Sequence, residues 1–464
     1  MTFDPHFAAD GTPDLPILAL GKSGFRKWLE AQPAARRGWI EVSGFTAEAG
    51  SLCLLPDDKG VLEGALFGWD KDDFWAFAHL PAKLPGGTWR IDAALTPAQA
   101  DAAALVWGLA HYQFARYKKA PAKDTAKPRL TWPAAADRAH VLRLIEAIGL
   151  TRDLVNTPAN DMGPEELAAV AGGLAQKHGA EFRVVTGGSL LEENYPTIHA
   201  VGRAAALHRA PRLIDLCWGD SAHPKLTLVG KGVCFDSGGL DLKPSSGMKI
   251  MKKDMGGAAV SLGLADAIMG AGLPVRLRVL IPAVENAVSG DAFRPLDIIK
   301  TRKGITVEIG NTDAEGRLIL CDALAEADSE KPDLLLNFAT LTGAARTALG
   351  PDLPALFSRQ DALAEDLLKA GREIDDPLWR LPLWTPYRRM LDSKVADINN
   401  ASDSPHAGAI TAGLFLAEFV APGTQWAHID LFAWNPSARP GRPEGGEAMG
   451  LRAVYAAIRK RYAS

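Results

Sequence analysis

In the stretch VGKGVCFDSGGLDLKPSSGMKIMKKDMGG (229–257), Lys231, Asp236, Lys243 and Asp254 follow an apolar strand-like run, each close to glycine or proline. Charges so placed are held in defined turns and not left on a solvated face. Further on, Asn311–Leu318 (NTDAEGRL) puts Asp313, Glu315 and Arg317 at alternate positions. In an extended segment alternate side chains leave the backbone on one side, so two carboxylates and a guanidinium would converge. A competing reading makes Thr312 and Glu315 a capping box, opening a helix with Ile319, Leu320, Ala323 and Leu324 on one face. The octet alone does not choose between them.

The upstream charges also have ordinary readings. Asp254 could complement the dipole of a helix starting at Gly257. Gly230-Lys231-Gly232 hints at a phosphate loop, yet no GxxxxGK[ST] is present. Lys231 and Lys243 could be surface lysines. Taken together with Asp313, Glu315 and Arg317, these separate explanations require too many coincidences. Asp236, Asp254, Asp313 and Glu315 packed together would repel and raise one another's pKa, a conflict that divalent cations resolve. Carboxylates bridging two cations ~3.5–4 Å apart can activate water and stabilise a tetrahedral oxyanion. Phosphatases, polymerases, nucleases and aminopeptidases all use such pairs, so the device does not choose the reaction. Oxygen-rich ligation without His or Cys favours Mn²⁺ or Mg²⁺ over Zn²⁺ on ligand softness.

The elements that must position these groups have a regular order. From about residue 180, short apolar strands (Phe182–Val185, Leu213–Trp218, Leu226–Val229, Val275–Ile281, Leu334–Ala339, His428–Phe432) alternate with helices (Gly257–Ala271, Gly316–Ala327, Asp361–Arg372, Ala409–Phe419). Helical periodicity also covers Asp137–Val155, and Asp161–Glu166 opens a further helix. The pattern predicts an α/β fold with a mixed, mainly parallel sheet covered by helices, and ligands beyond the carboxyl ends of its strands. The charged residues fall just there, after 226–229 and 334–339.

Residues 1–117 form a smaller α/β domain, with strands at Ile17–Leu20, Trp39–Val42 and Ala65–Phe67 and a helix over Pro97–Tyr117. It holds no catalytic constellation; His79 and His111 are isolated and read as structural. Residues 118–135, with Lys118, Lys119, Lys123, Lys127 and Arg129 among Pro121, Pro128 and Pro133, read as an exposed linker. The larger domain then occupies 136–464.

The 464-residue chain is 47% hydrophobic and 23% charged, the composition of a globular protein with room for a large core. A net charge of −4 does not indicate a general polyanion-binding surface, so nucleic acid is not an expected partner. No apolar run reaches the ~18 residues that span a bilayer. The polar Met1–Gly11, with Asp4 and Asp10, is not a secretory signal, and Cys53, Cys217, Cys234 and Cys321 read as reduced thiols of a cytoplasmic protein.

NTDAEGRL, the 229–257 segment, NTPANDMGPEELA at 156–168 and Ala339-Thr340-Leu341-Thr342-Gly343 resemble the motifs of the leucyl aminopeptidase family, the dinuclear cytosol aminopeptidases, over about residues 140–460. The resemblance implies that Lys231, Asp236, Asp254 and Glu315 hold a tightly bound metal, and Asp236, Asp313 and Glu315 an exchangeable one. Lys243 and Arg317 would be the catalytic pair, Arg317 holding a bicarbonate that acts as general base. Met251, Thr340, Leu341 and Gly343 would lie near the first side-chain pocket, although ordinary core and strand-end roles also fit them. The implied metals are Zn²⁺ and Mn²⁺, two per subunit, in a homohexamer with its active sites facing an internal cavity.

The expected reaction is release of an N-terminal, leucine-like residue from peptides. The α-amine meets a metal and Asp254, a metal-bridging hydroxide attacks, and Lys243 stabilises the oxyanion. As a ligand Lys231 must be neutral; as an oxyanion donor Lys243 must be protonated. Two other readings stand beside this: a two-metal hydrolase of a non-peptide amide or ester, and an added DNA-binding regulatory role, which some family members have.

Overall fold

The structure, a computed structural model, describes residues 6–119 and 126–463. The centre of the expected linker, with Pro121 and Lys123, lies outside the described residues, as do Asp4 and the rest of the first five residues. The chain divides into two compact units, Met1–Gly149 with Ser437–Glu444, and Leu150–Pro436 with Gly445–Ser464.

The first unit is built on five strands, β1 (Leu15–Leu20), β2 (Leu52–Pro56), β3 (Leu62–Gly68), β4 (Gly87–Asp92) and β5 (Pro128–Leu130), in the order β2-β3-β1-β4-β5. Only the β2–β3 pair is antiparallel. Two sequence expectations change here. Trp39–Val42 is the last turn of helix α1 (Ala34–Val42), and of its four residues only Ile40 is buried. The helix-forming Ala34-Ala35-Arg36-Arg37 run outweighs the strand preference of the short Trp-Ile-Glu-Val segment. Residues 128–130, expected in the linker, pair in parallel with β4 and bury Leu130 completely. Pro128 stands first in an edge strand, the position where a missing N–H costs least, so the sequence reads as linker while the backbone pairs. The helix expected over 97–117 is α2, Pro97–Ala110, opened by a Thr96–Gln99 capping box.

The boundary between units falls inside helix α3 (Arg138–Asn156), between Gly149 and Leu150, whereas the sequence reading put it at 136. The second unit holds a nine-stranded sheet. Its strands are β6 (Glu181–Thr186), β7 (Arg212–Trp218), β8 (Lys225–Gly230), β9 (Gly232–Asp236), β10 (Arg276–Asn286), β11 (Leu334–Ala339), β12 (Ala355–Ser358), β13 (Trp379–Arg380) and β14 (Trp426–Asp430). The order is β13-β12-β14-β11-β8-β10-β7-β6, with β9 continuing beside β10. The central pairs β14–β11, β11–β8 and β8–β10 are parallel, and antiparallel pairs lie outside them, so the sheet is mixed and mainly parallel.

Helices α4 (Gly256–Gly270) and α5 (Glu315–Ser329) pack on the central strands. Thirteen of the fourteen residues of 256–269 that could face outward are apolar or glycine, or buried Ser261, and Asp266 is the one charge, which matches burial all round α4. A small three-stranded sheet, Ile298–Lys300, Thr306–Glu308 and Ile398–Asn399, places Asn400 beside the start of α5. Among the described residues no helix is long and apolar enough to cross a membrane.

Candidate metal centre

Lys231 leaves β8 at its carboxyl end. Its N–H donates to Phe338 O of β11 and its carbonyl accepts from Ala258 N of α4, both at 2.9 Å, so the backbone is fixed between strand and helix. Gly257 permits this approach, because a Cβ there would lie 2.1 Å from Phe338 O. The Lys231 ammonium stands 2.7 Å from Asp254 Oδ2, 2.8 Å from Glu315 Oε1 and 3.1 Å from Thr340 O. Asp254 sits in the turn Met251–Met255, and its Oδ1 accepts from Thr340 Oγ1 at 2.7 Å.

Asp236 ends β9. Its Oδ1 accepts from Gly238 N and Asn286 Nδ2, each at 2.9 Å, and its Oδ2 faces Lys243 Nζ at 2.8 Å. Lys243 also contacts Asp313 Oδ1. The loop between Asp236 and Lys243 turns through Gly238 and Gly239, both with left-handed φ (+91° and +67°).

Asp313, Glu315 and Arg317 converge, but not by extended alternation. Asp313 lies in a turn whose N–H donates to Asn311 Oδ1 (2.7 Å), and α5 begins at Glu315. The capping box is absent too: the N-cap is Ala314, without a side-chain cap. Thr312 Oγ1 donates to Gly238 O (2.7 Å) and accepts from Asp241 N (2.8 Å), tying the octet to the 236–243 loop. Side chains two residues apart on a helix leave it about 200° apart, yet Arg317 still lines the same cavity as Asp313. Its Nη1 donates to Asn400 O at 2.6 Å, and its buried Nε has no partner.

One carboxylate oxygen each from Asp236, Asp313 and Glu315 lies within 4.8 Å of the others. Glu315 Oε2 is buried without a partner, and Glu315 Oε1 and Asp254 Oδ2 have the Lys231 ammonium beside them. Hard oxygen donors, clustered and served by so few hydrogen-bond donors, fit divalent cations. The electrostatics agree. Burial, then the Asp236 carboxylate, pushes Glu315 up to about 8, and burial with the same neighbour pushes Asp313 up to about 6. Burial opposes charge on Lys231 and Lys243, but the surrounding carboxylates outweigh it and hold both ammonium groups above the ordinary lysine value. For Lys231 this is the reverse of the neutral state expected of a ligand, so neutrality there requires the cations themselves to replace its positive charge.

These groups open onto a cavity of about 610 Å³, lined by Lys231, Asp236, Lys243, Asp254, Asp313 and Arg317. Met251, Thr340, Leu341 and Gly343 line the same cavity. Glu315, 1% exposed, lies behind them. All the residues singled out from the sequence therefore gather at one place. Sequence reasoning missed the supports. Asn286 and Asn400 are buried amides that fix Asp236 and the 310–314 turn. Asp430, at the end of β14, accepts from Leu341 N (2.9 Å), Thr342 N (3.2 Å) and Thr342 Oγ1 (2.7 Å), and burial pushes its carboxyl up to about 6. Lys253, 6% exposed, also lines the cavity, and burial pulls it down to about 8. The doublet Lys252-Lys253 beside Asp254 was the one visible signal for it.

Comparison with known proteins gives this arrangement a context. The family model for the cytosol aminopeptidase family, catalytic domain, matches residues 149–455, and that for the M17 aminopeptidase N-terminal domain matches 15–131. A probable cytosol aminopeptidase of Streptomyces griseus is 36% identical over 95% of this chain and 92% of its own length. Another, from Syntrophotalea carbinolica, is 45% identical over 69% of this chain, and the match spans 64% of that relative. The crystal structure of cytosol aminopeptidase from Coxiella burnetii superposes with a TM-score of 0.95 at 49% identity, covering 99% of this chain and 100% of that one. The bottromycin maturation enzyme BotP, in complex with Mn, superposes with a TM-score of 0.85 at 34% identity, covering 97% and 99%. The N-terminal match extends the likeness beyond the 140–460 region legible from motifs. On both units and along nearly its whole length, the chain belongs to the cytosol aminopeptidase family.

Proposed function

We propose that the protein is a two-metal aminopeptidase that removes apolar, leucine-like first residues from peptides with a free amino terminus. The observation that carries this reading is the cluster of Asp236, Asp313 and Glu315 oxygens, with Lys231 and Asp254 beside it, at the floor of the cavity. Lys231, Asp236, Asp254 and Glu315 would hold one divalent cation, and Asp236, Asp313 and Glu315 the other, Mn²⁺ or Zn²⁺. When bound, the cations supply Lewis acidity that polarises the scissile carbonyl and makes water a nucleophile near neutral pH.

The chain's own groups do the rest. Asp254 accepts a hydrogen bond from the substrate's α-amine, which fixes the cut at the first peptide bond. Lys243, held charged by Asp236 and Asp313, donates to the oxygen that gains charge. Arg317 keeps an unpartnered Nε and suits an anion such as bicarbonate, positioned to take a proton from the attacking water. Met251 and Leu341 give the cavity apolar wall against the first side chain. We carry over from the relatives' names a cytosolic location, and from the family resemblance a homohexamer.

A matched pair of peptides tests the reading: Leu-Gly-Gly and its N-acetyl form. Release of leucine from the first alone is expected. Equal cleavage of both would remove the amine-anchoring role of Asp254 and favour a general amide hydrolase.

A further inference from the structure

The cavity carries more positive charge than the proposed chemistry uses. Lys231, Lys243 and Arg317 each have a close oxygen partner. Lys253 does not. Its ammonium is 3.9 Å from Asp254 Oδ1, beyond hydrogen-bond range, because Thr340 Oγ1 takes Oδ1 and Lys231 takes Oδ2, each at 2.7 Å. Asp430 is no substitute, since both its oxygens are engaged by Leu341 and Thr342. What Lys253 does touch is the face of Phe432, with Nζ 5.1 Å from the ring centroid. Arg346, exposed and without a carboxylate partner among the described residues, lies 4.9 Å from the same centroid, and all three residues line the cavity. A lysine more than nine-tenths buried, facing a cavity without a hydrogen-bond acceptor, leaves a desolvated charge for which a substrate anion can compensate.

We propose that Lys253 binds a carboxylate on the side chain of the substrate's first residue, so that the enzyme accepts glutamyl and aspartyl amino termini in addition to apolar ones. This rests on the reading that Asp254 anchors the substrate's α-amine. An amine bound there lies within reach of Lys253, and an aspartyl or glutamyl carboxylate is roughly 3–5 Å from its own α-amine at ordinary bond lengths. A carboxylate on the second residue lies beyond the scissile bond, further from Asp254. The Phe432 ring beneath the Lys253 ammonium offers apolar wall for the methylenes of the same side chain, and Arg346 adds positive potential on that side of the cavity.

The test uses the metal-loaded enzyme with glutamyl, glutaminyl and leucyl amides. Glutamyl and glutaminyl have nearly the same shape and differ in charge. The wild type is expected to favour glutamyl by about tenfold in kcat/KM, the size of one charge-assisted hydrogen bond. Lys253→Met is expected to remove or reverse that ratio, and Lys253→Arg to retain part of it. A glutaminyl preference in the wild type, or a ratio unmoved in Lys253→Met, overturns the proposal and leaves Lys253 as a packing residue on Phe432. If Lys253→Met loses all activity, the wild-type ratio and its weakening at high salt decide alone. Failure of the aminopeptidase reading looks different, because leucyl amide would then not be cleaved at all.

Discussion

Lys231 and Lys243 are one residue type to which the proposed function gives opposite tasks, cation ligand and oxyanion donor. Lys231 is nearly sealed, between Asp254 and Glu315; Lys243 is partly open, between Asp236 and Asp313. Lys231→Ala should therefore weaken occupancy of one cation, with partial rescue at high metal concentration. Lys243→Ala should keep both cations and near-normal KM while kcat falls by at least ~10²-fold, the usual scale for losing an oxyanion donor. Metal content of the two purified variants decides it, and the reverse pattern would exchange their roles. Arg317→Ala should leave two cations bound, lower kcat and abolish stimulation by bicarbonate; loss of metal would make Arg317 a support of the metal cluster. The charged residues were legible because each stands in a glycine- or proline-marked turn. Asn286, Asn400 and Asp430 were not, since a buried amide or carboxylate that bonds backbone groups far along the chain leaves no local pattern.

At the scale of elements, two glycines separate site from scaffold. A Cβ on Gly316 would meet Lys231 Cε at 2.5 Å, the far end of a flexible side chain, while one on Gly257 would meet the Phe338 backbone oxygen at 2.1 Å. Gly316→Ala should thus reduce metal affinity while the metal-free protein melts no lower than wild type, helped by up to about 0.5–1 kcal/mol of helix propensity. Gly257→Ala should lower the melting temperature with or without metal. Equal destabilisation of both would contradict the distinction.

A second element-scale prediction concerns β14. His428 is fully buried, its Nδ1 2.8 Å from Asn337 Nδ2, and burial pulls it down to about 3. A folded pKa below the unfolded one means the unfolded chain takes up the proton first. Stability from neutral His428 is therefore complete above about 6.5 and is lost as pH falls toward about 3. Urea unfolding should show this as up to about 2 kcal/mol lost by pH 5, with a shallower slope in His428→Gln. Identical slopes would exclude the residue as a cause.

For the whole molecule, the alternation of apolar strands with helices was enough to read a mixed, mainly parallel sheet with the charges beyond its carboxyl ends. What the sequence misread was local: a four-residue helical turn in the first unit, and an edge strand opened by proline. The octet shows the limit well. Its charged residues meet through a turn and a helix start, which Thr312 of the octet, with Asp241 and Asn400 from elsewhere in the fold, holds in place. Sedimentation of the intact protein should give an assembly of six 49.5 kDa chains, and a stable monomer would contradict the hexamer. The reaction itself is decided by one titration. Enzyme stripped by a chelator and verified metal-free should not hydrolyse leucinamide, and adding Mn²⁺ or Zn²⁺ should restore activity that saturates at two equivalents per chain. Full activity in the metal-free protein would contradict the two-cation site and the function built on it.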